Sequence, residues 1–129
     1  MLENRSYDHV FGFGPAGDLK GDESNLWQGQ TLRFASGADY AMPRDPGHSF
    51  TDVLEQLAGE GAAYTRGRPY PPITMSGFAS NFGGYEPGAV ASVFKGFTPD
   101  QLPVLSFLAR NYCVCRRWFS SMPGTTWRF

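Results

Sequence analysis

The chain has 129 residues, a length that suits one small domain or one portion of a larger one. Its formal net charge of -1, with no polybasic run and no long apolar run, gives no electrostatic reason to expect nucleic acid or a membrane surface and excludes a membrane-spanning helix. Hydrophobic residues at 41% can build a core, whereas 16 glycines and 10 prolines predict a loop-rich chain.

The opening Met1-Leu2-Glu3 lacks the basic and apolar regions of a signal peptide. A short helix is predicted from about Ser6 to Phe11, capped by Asn4 or Ser6. From Gly12 to Asp39 the reading is irregular, with one short strand near Thr31–Phe34. Phe50, Val53, Leu54, Leu57 and Ala58 share one helical face, with Ser49 as cap, Asp52 in the first turn and Gly59 as the stop. Residues 59–89 read as turns, with Tyr70-Pro71-Pro72 and Gly83-Gly84 as the clearest breakers. A second strong helix is expected after Thr98, with Pro99 at its first position and Gln101 completing a capping box. Leu102, Leu105, Leu108, Ala109 and Tyr112 would form its buried face, and Tyr112–Cys115 would follow as a short strand. Cys113 and Cys115 flank one valine, too close for an unstrained bridge and without the second pair of a zinc site, so they read as half-buried thiols. Helices alternating with short strands and long loops indicate α/β, with too few strands to complete a sheet.

Three segments carry chemistry. Glu3-Asn4 supplies a carboxylate and an amide oxygen, ligands that suit a hard divalent ion; the plain alternative is a helix start in which Asn caps and Glu favours the positive end of the dipole. Asp45-Pro46-Gly47-His48 predicts a turn that delivers His48 to the start of the middle helix, where it can hydrogen-bond a phosphate oxygen or move a proton; the alternative is an ordinary turn with an exposed histidine. His9 reads as structural. Pro123-Gly124-Thr125-Thr126 places hydroxyls in a turn where a metal can activate one as a nucleophile, and the alternative is again a plain turn.

Taken in order, these segments resemble the bacterial phosphoesterase family of phospholipase C and acid phosphatase A, within the alkaline-phosphatase-like superfamily. The matching runs are residues 3–12, Asp45-Pro46-Gly47-His48-Ser49, Met75-Ser76-Gly77-Phe78, Phe97 to Val104, and Cys115 to Thr126. The resemblance implies an α/β/α sandwich, of which residues 1–129 would be a loop-rich N-terminal part without the first strand and the C-terminal half. It implies metal-dependent hydrolysis of a phosphate ester or phospholipid through a covalent phospho-threonine. Glu3, Asn4 and Thr126 match the metal ligands, Thr126 the nucleophile, and His48 a histidine near the phosphate. Relatives of this family are often exported, and nothing points to a protein partner.

Departures from the family pattern accompany the matches. Thr125 stands where Pro is usual, Arg116 where Asp is common, and Trp127-Arg128-Phe129 replaces a Pro-Asn-Arg run. Glu3, Asn4 and Thr126 give three oxygen donors against the roughly six to eight a hard divalent ion takes, so poor metal binding and little turnover are expected of this chain alone. The competing readings are a catalytically inactive, truncated remnant and a carbohydrate-binding module using Trp27, Tyr70, Tyr85 and Trp127.

Overall fold

The computed structural model describes residues 5–120 and 122–125. Helix α1, Tyr7–Phe11, begins as the sequence predicts: Ser6 is extended (φ -68°, ψ 160°), and its hydroxyl accepts the His9 backbone N–H at 3.2 Å. Asn4, the other candidate cap, lies outside the described residues.

The region read as irregular contains a hairpin, β1 (Ser24–Trp27) against β2 (Gln30–Arg33), with Trp27 opposite Gln30. The two loop residues, Gln28 (φ 48°) and Gly29 (φ 81°), both take positive φ, as the tightest hairpin turn requires. The expected strand near Thr31–Phe34 is thus β2, one residue earlier. Its partner β1 escapes the usual pattern because Asn25 is buried and Leu26 is exposed. The buried amide is satisfied: Asn25 donates to the Met75 carbonyl at 2.9 Å and accepts the Ala79 N–H at 3.2 Å. Two further short strands, β3 (Ala35–Ser36) and β4 (Lys95–Gly96), pair in parallel. Just beyond β4, the Phe97 N–H donates to the His9 carbonyl at 2.8 Å and ties α1 to this edge.

Helix α2, Phe50–Ala58, has the expected bounds, and Ser49 with Asp52 forms a reciprocal capping box. Helix α3, Phe78–Tyr85, corrects the reading of residues 59–89 as turns. Its sequence, with two glycines and no side-chain cap, has poor intrinsic helicity, and burial overrides that propensity. Ala79 and Phe82 pack with Val90 and Phe94 of the following 3₁₀ segment, Pro87–Phe94, while Trp27, Leu32, Phe34 and Met42 cover them. Gly83 is part of that packing: a Cβ there would lie 2.2 Å from the Trp27 ring.

Helix α4, Pro103–Asn111, starts later than Thr98. The two capping-box bonds between Thr98 and Gln101 do form, at 3.0 and 3.3 Å, but they close only a turn. Pro103 forces Leu102 out of the helical region (φ -126°, ψ 60°), so Leu102 becomes the residue before the helix. The predicted buried face is also corrected. Leu105 and Ala109 are half-buried, whereas Leu108 and Tyr112 are exposed. Residues 112–115 are irregular rather than a strand, and Cys113 and Cys115 are exposed free thiols. Mixed helix with small two-stranded sheets is therefore the observed class, consistent with part of an α/β protein. No helix among the described residues is long and apolar enough to cross a membrane.

Candidate functional site

Glu3, Asn4 and Thr126 lie outside the described residues, as does Trp127. Their flanks are described, and they converge. One cavity of about 340 Å³ is lined by Arg5 and Ser6, which follow Glu3-Asn4; by Pro46, Gly47 and His48; and by Gly124, two residues before Thr126. Apolar walls come from Val53 of α2, from Phe78 and Phe82 of α3, and from Met42 and Val93. A neighbouring cavity of about 470 Å³ shares Pro46, Gly47 and His48 and adds Arg44, Asp45, Asp52, Tyr85 and Thr125. His48 thus stands on the ridge between the two, exposed, with no hydrogen bond from its imidazole to any described residue.

The N-terminal wall is held by ordinary forces. Arg5 Nη1 donates to His9 Nε2 at 3.1 Å and Arg5 Nη2 to the Tyr40 carbonyl at 2.9 Å, which fixes a guanidinium at the cavity edge. His9 is buried and packs against Phe97, the two rings tilted by 34° with centroids 4.9 Å apart. Burial first, and then the Arg5 charge, push its imidazole below the ordinary histidine range, so it serves as a neutral acceptor. The structural role expected of His9 is the one observed.

The His48 wall is less conventional. Residues 45–48 follow an irregular path instead of the predicted turn, and hydrogen bonds from the side chains of α2 supply what a turn would have. Asp52, Glu55 and Gln56 share one face of α2 at i, i+3 and i+4 spacing, and all three meet Asn81 of α3. Burial alone would raise the Asp52 carboxyl. Hydrogen bonds from the Ser49 hydroxyl, the Asn81 amide, the Tyr85 phenol and the Ser49 backbone N–H outweigh it and hold the group at about 2. Arg44 rests over the Tyr85 ring, 5.0 Å from its centroid. Sequence reasoning missed Gln56, Asn81 and Tyr85. Asn81 lay in a stretch that read as turn, and Gln56 lies off the apolar face by which the middle helix was recognised.

Among the described residues no group of three or more His, Cys, Asp or Glu side chains is placed to hold a metal ion. The lining of the first cavity is positive at Arg5 and carries no carboxylate, which suits an anion more than a cation. The aromatic rings proposed as a sugar platform are engaged elsewhere: Trp27 packs on Gly83, Tyr85 bonds Asp52 at 2.7 Å, and Tyr70 stacks on Tyr64 at 4.5 Å.

The model of the phosphoesterase family matches residues 1–128. Non-specific phospholipase C5 of Arabidopsis thaliana is 37% identical over 141 aligned positions, covering 98% of this chain and 26% of that protein. Non-specific phospholipases C4 and C1 of the same plant are 35% and 38% identical, again over 98% of this chain and over 26% and 24% of their own lengths. This chain therefore spans about a quarter of the curated relatives it matches. Those relatives are plant proteins, where the sequence resemblance was framed around bacterial members.

Proposed function

The chain belongs to the phosphoesterase family, and from that premise we propose that it forms the N-terminal part of a phospholipase C-like site that hydrolyses phosphate esters. The observation that carries the reading is the shared cavity. Segments far apart in sequence, 5–6, 46–48 and 124, bring His48 and the flanks of the other predicted site residues into the lining of one cavity. The family resemblance extends this to an incomplete portion of an alkaline-phosphatase-like sandwich.

Within that reading Arg5 and His48 hold the phosphate, Arg5 by charge and His48 by a hydrogen bond to a phosphate oxygen. The Thr126 hydroxyl oxygen bonds to phosphorus as the bond to the leaving alcohol breaks, and water then cleaves the phospho-threonine. The apolar wall of Met42, Val53, Phe78, Phe82 and Val93 excludes water from one side of the ester. Glu3, Asn4 and Thr126 are hard oxygen donors and fit a divalent cation in kind, although three donors leave several positions for water or other protein groups. When bound, such an ion would lower the cost of forming the Thr126 alkoxide.

Acid-quenched protein mass spectrometry during turnover of a phosphodiester, with and without added divalent ion, tests the reading in a phosphoesterase chain of the relatives' length that carries these residues. A phosphoryl adduct is expected on the chain, absent in Thr126→Ala. His48→Ala should lower turnover by roughly 100-fold or more, as loss of a transition-state hydrogen-bond donor does. If a chain of that length forms no adduct and shows no metal-dependent turnover, the hydrolytic reading fails.

A further inference from the structure

The segment that carries His48 has no hydrogen-bonded turn of its own, yet it is gripped on both sides. Before it, the Gln56 amide donates to the Gly47 carbonyl at 2.6 Å. After it, the Ser49 backbone N–H donates to Asp52 Oδ2 at 3.1 Å, and the Ser49 hydroxyl donates to the same oxygen. The two gripping side chains are joined through one residue. Asn81 accepts from Gln56 Nε2 at 2.9 Å and donates to Asp52 Oδ1 at 3.1 Å. A third bond, from Asn81 to Glu55 Oε2 at 2.9 Å, leaves the amide no other orientation, since reversal would face its oxygen to two carboxylates. Gly47 closes the grip sterically: a Cβ there would fall 2.4 Å from the Asp52 carboxyl carbon.

We propose that Asn81, acting through Gln56 and Asp52, is the positioning residue that sets His48 at the ridge between the two cavities. Asn81 is 5% exposed and lines neither cavity itself, while its partners Gln56 and Asp52 reach the first and the second cavity and grip the segment on either side of His48. A buried, fully hydrogen-bonded network has one low-energy arrangement, and it transmits that arrangement to the segment it holds. The inference rests on the reading of His48 given above for its catalytic consequence, while the placement of the ring is an independent claim.

Two measurements separate those claims. Asn81→Ala risks unfolding the α2–α3 contact, so the informative variant is Gln56→Met, which keeps the volume of a half-buried side chain and removes the donor to Gly47. In the labelled protein, the His48 ring carbon–proton cross-peaks should shift in Gln56→Met and return towards their native positions in Gln56→Lys, which restores a donor. Unmoved cross-peaks overturn the proposal whatever turnover does. In kinetics, Gln56→Met should lower kcat roughly 10- to 100-fold with KM changed by less than about twofold. On a His48→Ala background the same substitution should cost clearly less than it does in the native protein, the remainder being the direct share of a side chain that also lines the first cavity. A full, additive loss on that background also overturns the proposal. Intact turnover in His48→Ala alone would remove the catalytic role of His48, and the cross-peaks would still decide whether Asn81 and Gln56 place it.

Discussion

The α2–α3 region and the α4 region are built from helices of similar length and treat their side chains in opposite ways. Across α2 and α3 nearly every polar group has a protein partner and the large apolar group at the centre, Phe82, is 1% exposed. Along α4 most of the large apolar groups face outward: Val104 is 69% exposed, Phe107 59% and Leu108 43%, against a half-buried Leu105, and Trp118 follows at 86%. Nothing in local propensity explains the contrast, since α3 has the poorer helix sequence of the two. Tertiary packing explains it. The half of the candidate site around His48 is completed within this chain, whereas α4 presents an apolar surface that no described residue covers.

The comparison would break first at Phe82. Phe82→Ala should destabilise by about 4 kcal/mol, as deletion of a fully packed aromatic ring does, and urea unfolding measures it. A loss below that of an exposed position would mean the α2–α3 region is not the stabilising half. Asn81→Ala comes next, at about 3 kcal/mol, because it leaves the Asp52 and Glu55 carboxylates and the Gln56 amide each short of a partner. The loss should exceed what Ala does at any position on the outer face of α4.

Acid titration sharpens the same contrast. Asp52 is held at about 2 in the folded chain against an unfolded value near 3.9, so its contribution of about 2 kcal/mol is complete above the unfolded value and is lost as pH falls towards 2. Asp52→Asn should flatten that limb of the stability profile. His9 acts in a separate window. Its folded imidazole is depressed, so its share of stability is present above about pH 6.5 and declines as pH falls below that value. A profile without either limb would show that neither buried group differs between the folded and unfolded chain.

The reading of the sequence succeeded where a local signal and the tertiary outcome agree. Ser6 and Ser49 cap the helices assigned to them, and α2 has the predicted bounds, because capping chemistry is settled within four residues. It failed where packing overrides propensity. Helix α3 has at Gly83 a glycine whose missing side chain leaves room for Trp27, and β1 inverts its burial because Asn25 finds partners in residues fifty or more positions away. The start of α4 was misplaced by a competition between two prolines, in which the restriction Pro103 puts on Leu102 outweighed the capping box at Thr98. For the site, the three motifs and His48 were legible as residue types in order. The network that holds His48 was not, since Gln56 and Asn81 acquire meaning only once α2 and α3 lie side by side.

The smallest expected effect is the most discriminating for α4. Phe107 is exposed on a helix where Val104 and Leu108 are exposed too, so Phe107→Ser in this chain should change stability by no more than about 0.5 kcal/mol. The same substitution in a phosphoesterase chain of the relatives' length asks whether the surface is covered there. Removal of a packed ring in that setting would cost about 3 kcal/mol, against almost nothing for a solvated one. A large loss would make α4 a seam within one domain, and the contrast with α2–α3 would then reflect only how much of that domain is present. An equally small loss would make the apolar face a property of the longer chain as well, leaving the His48 half as the part of the candidate site whose geometry is set independently of α4.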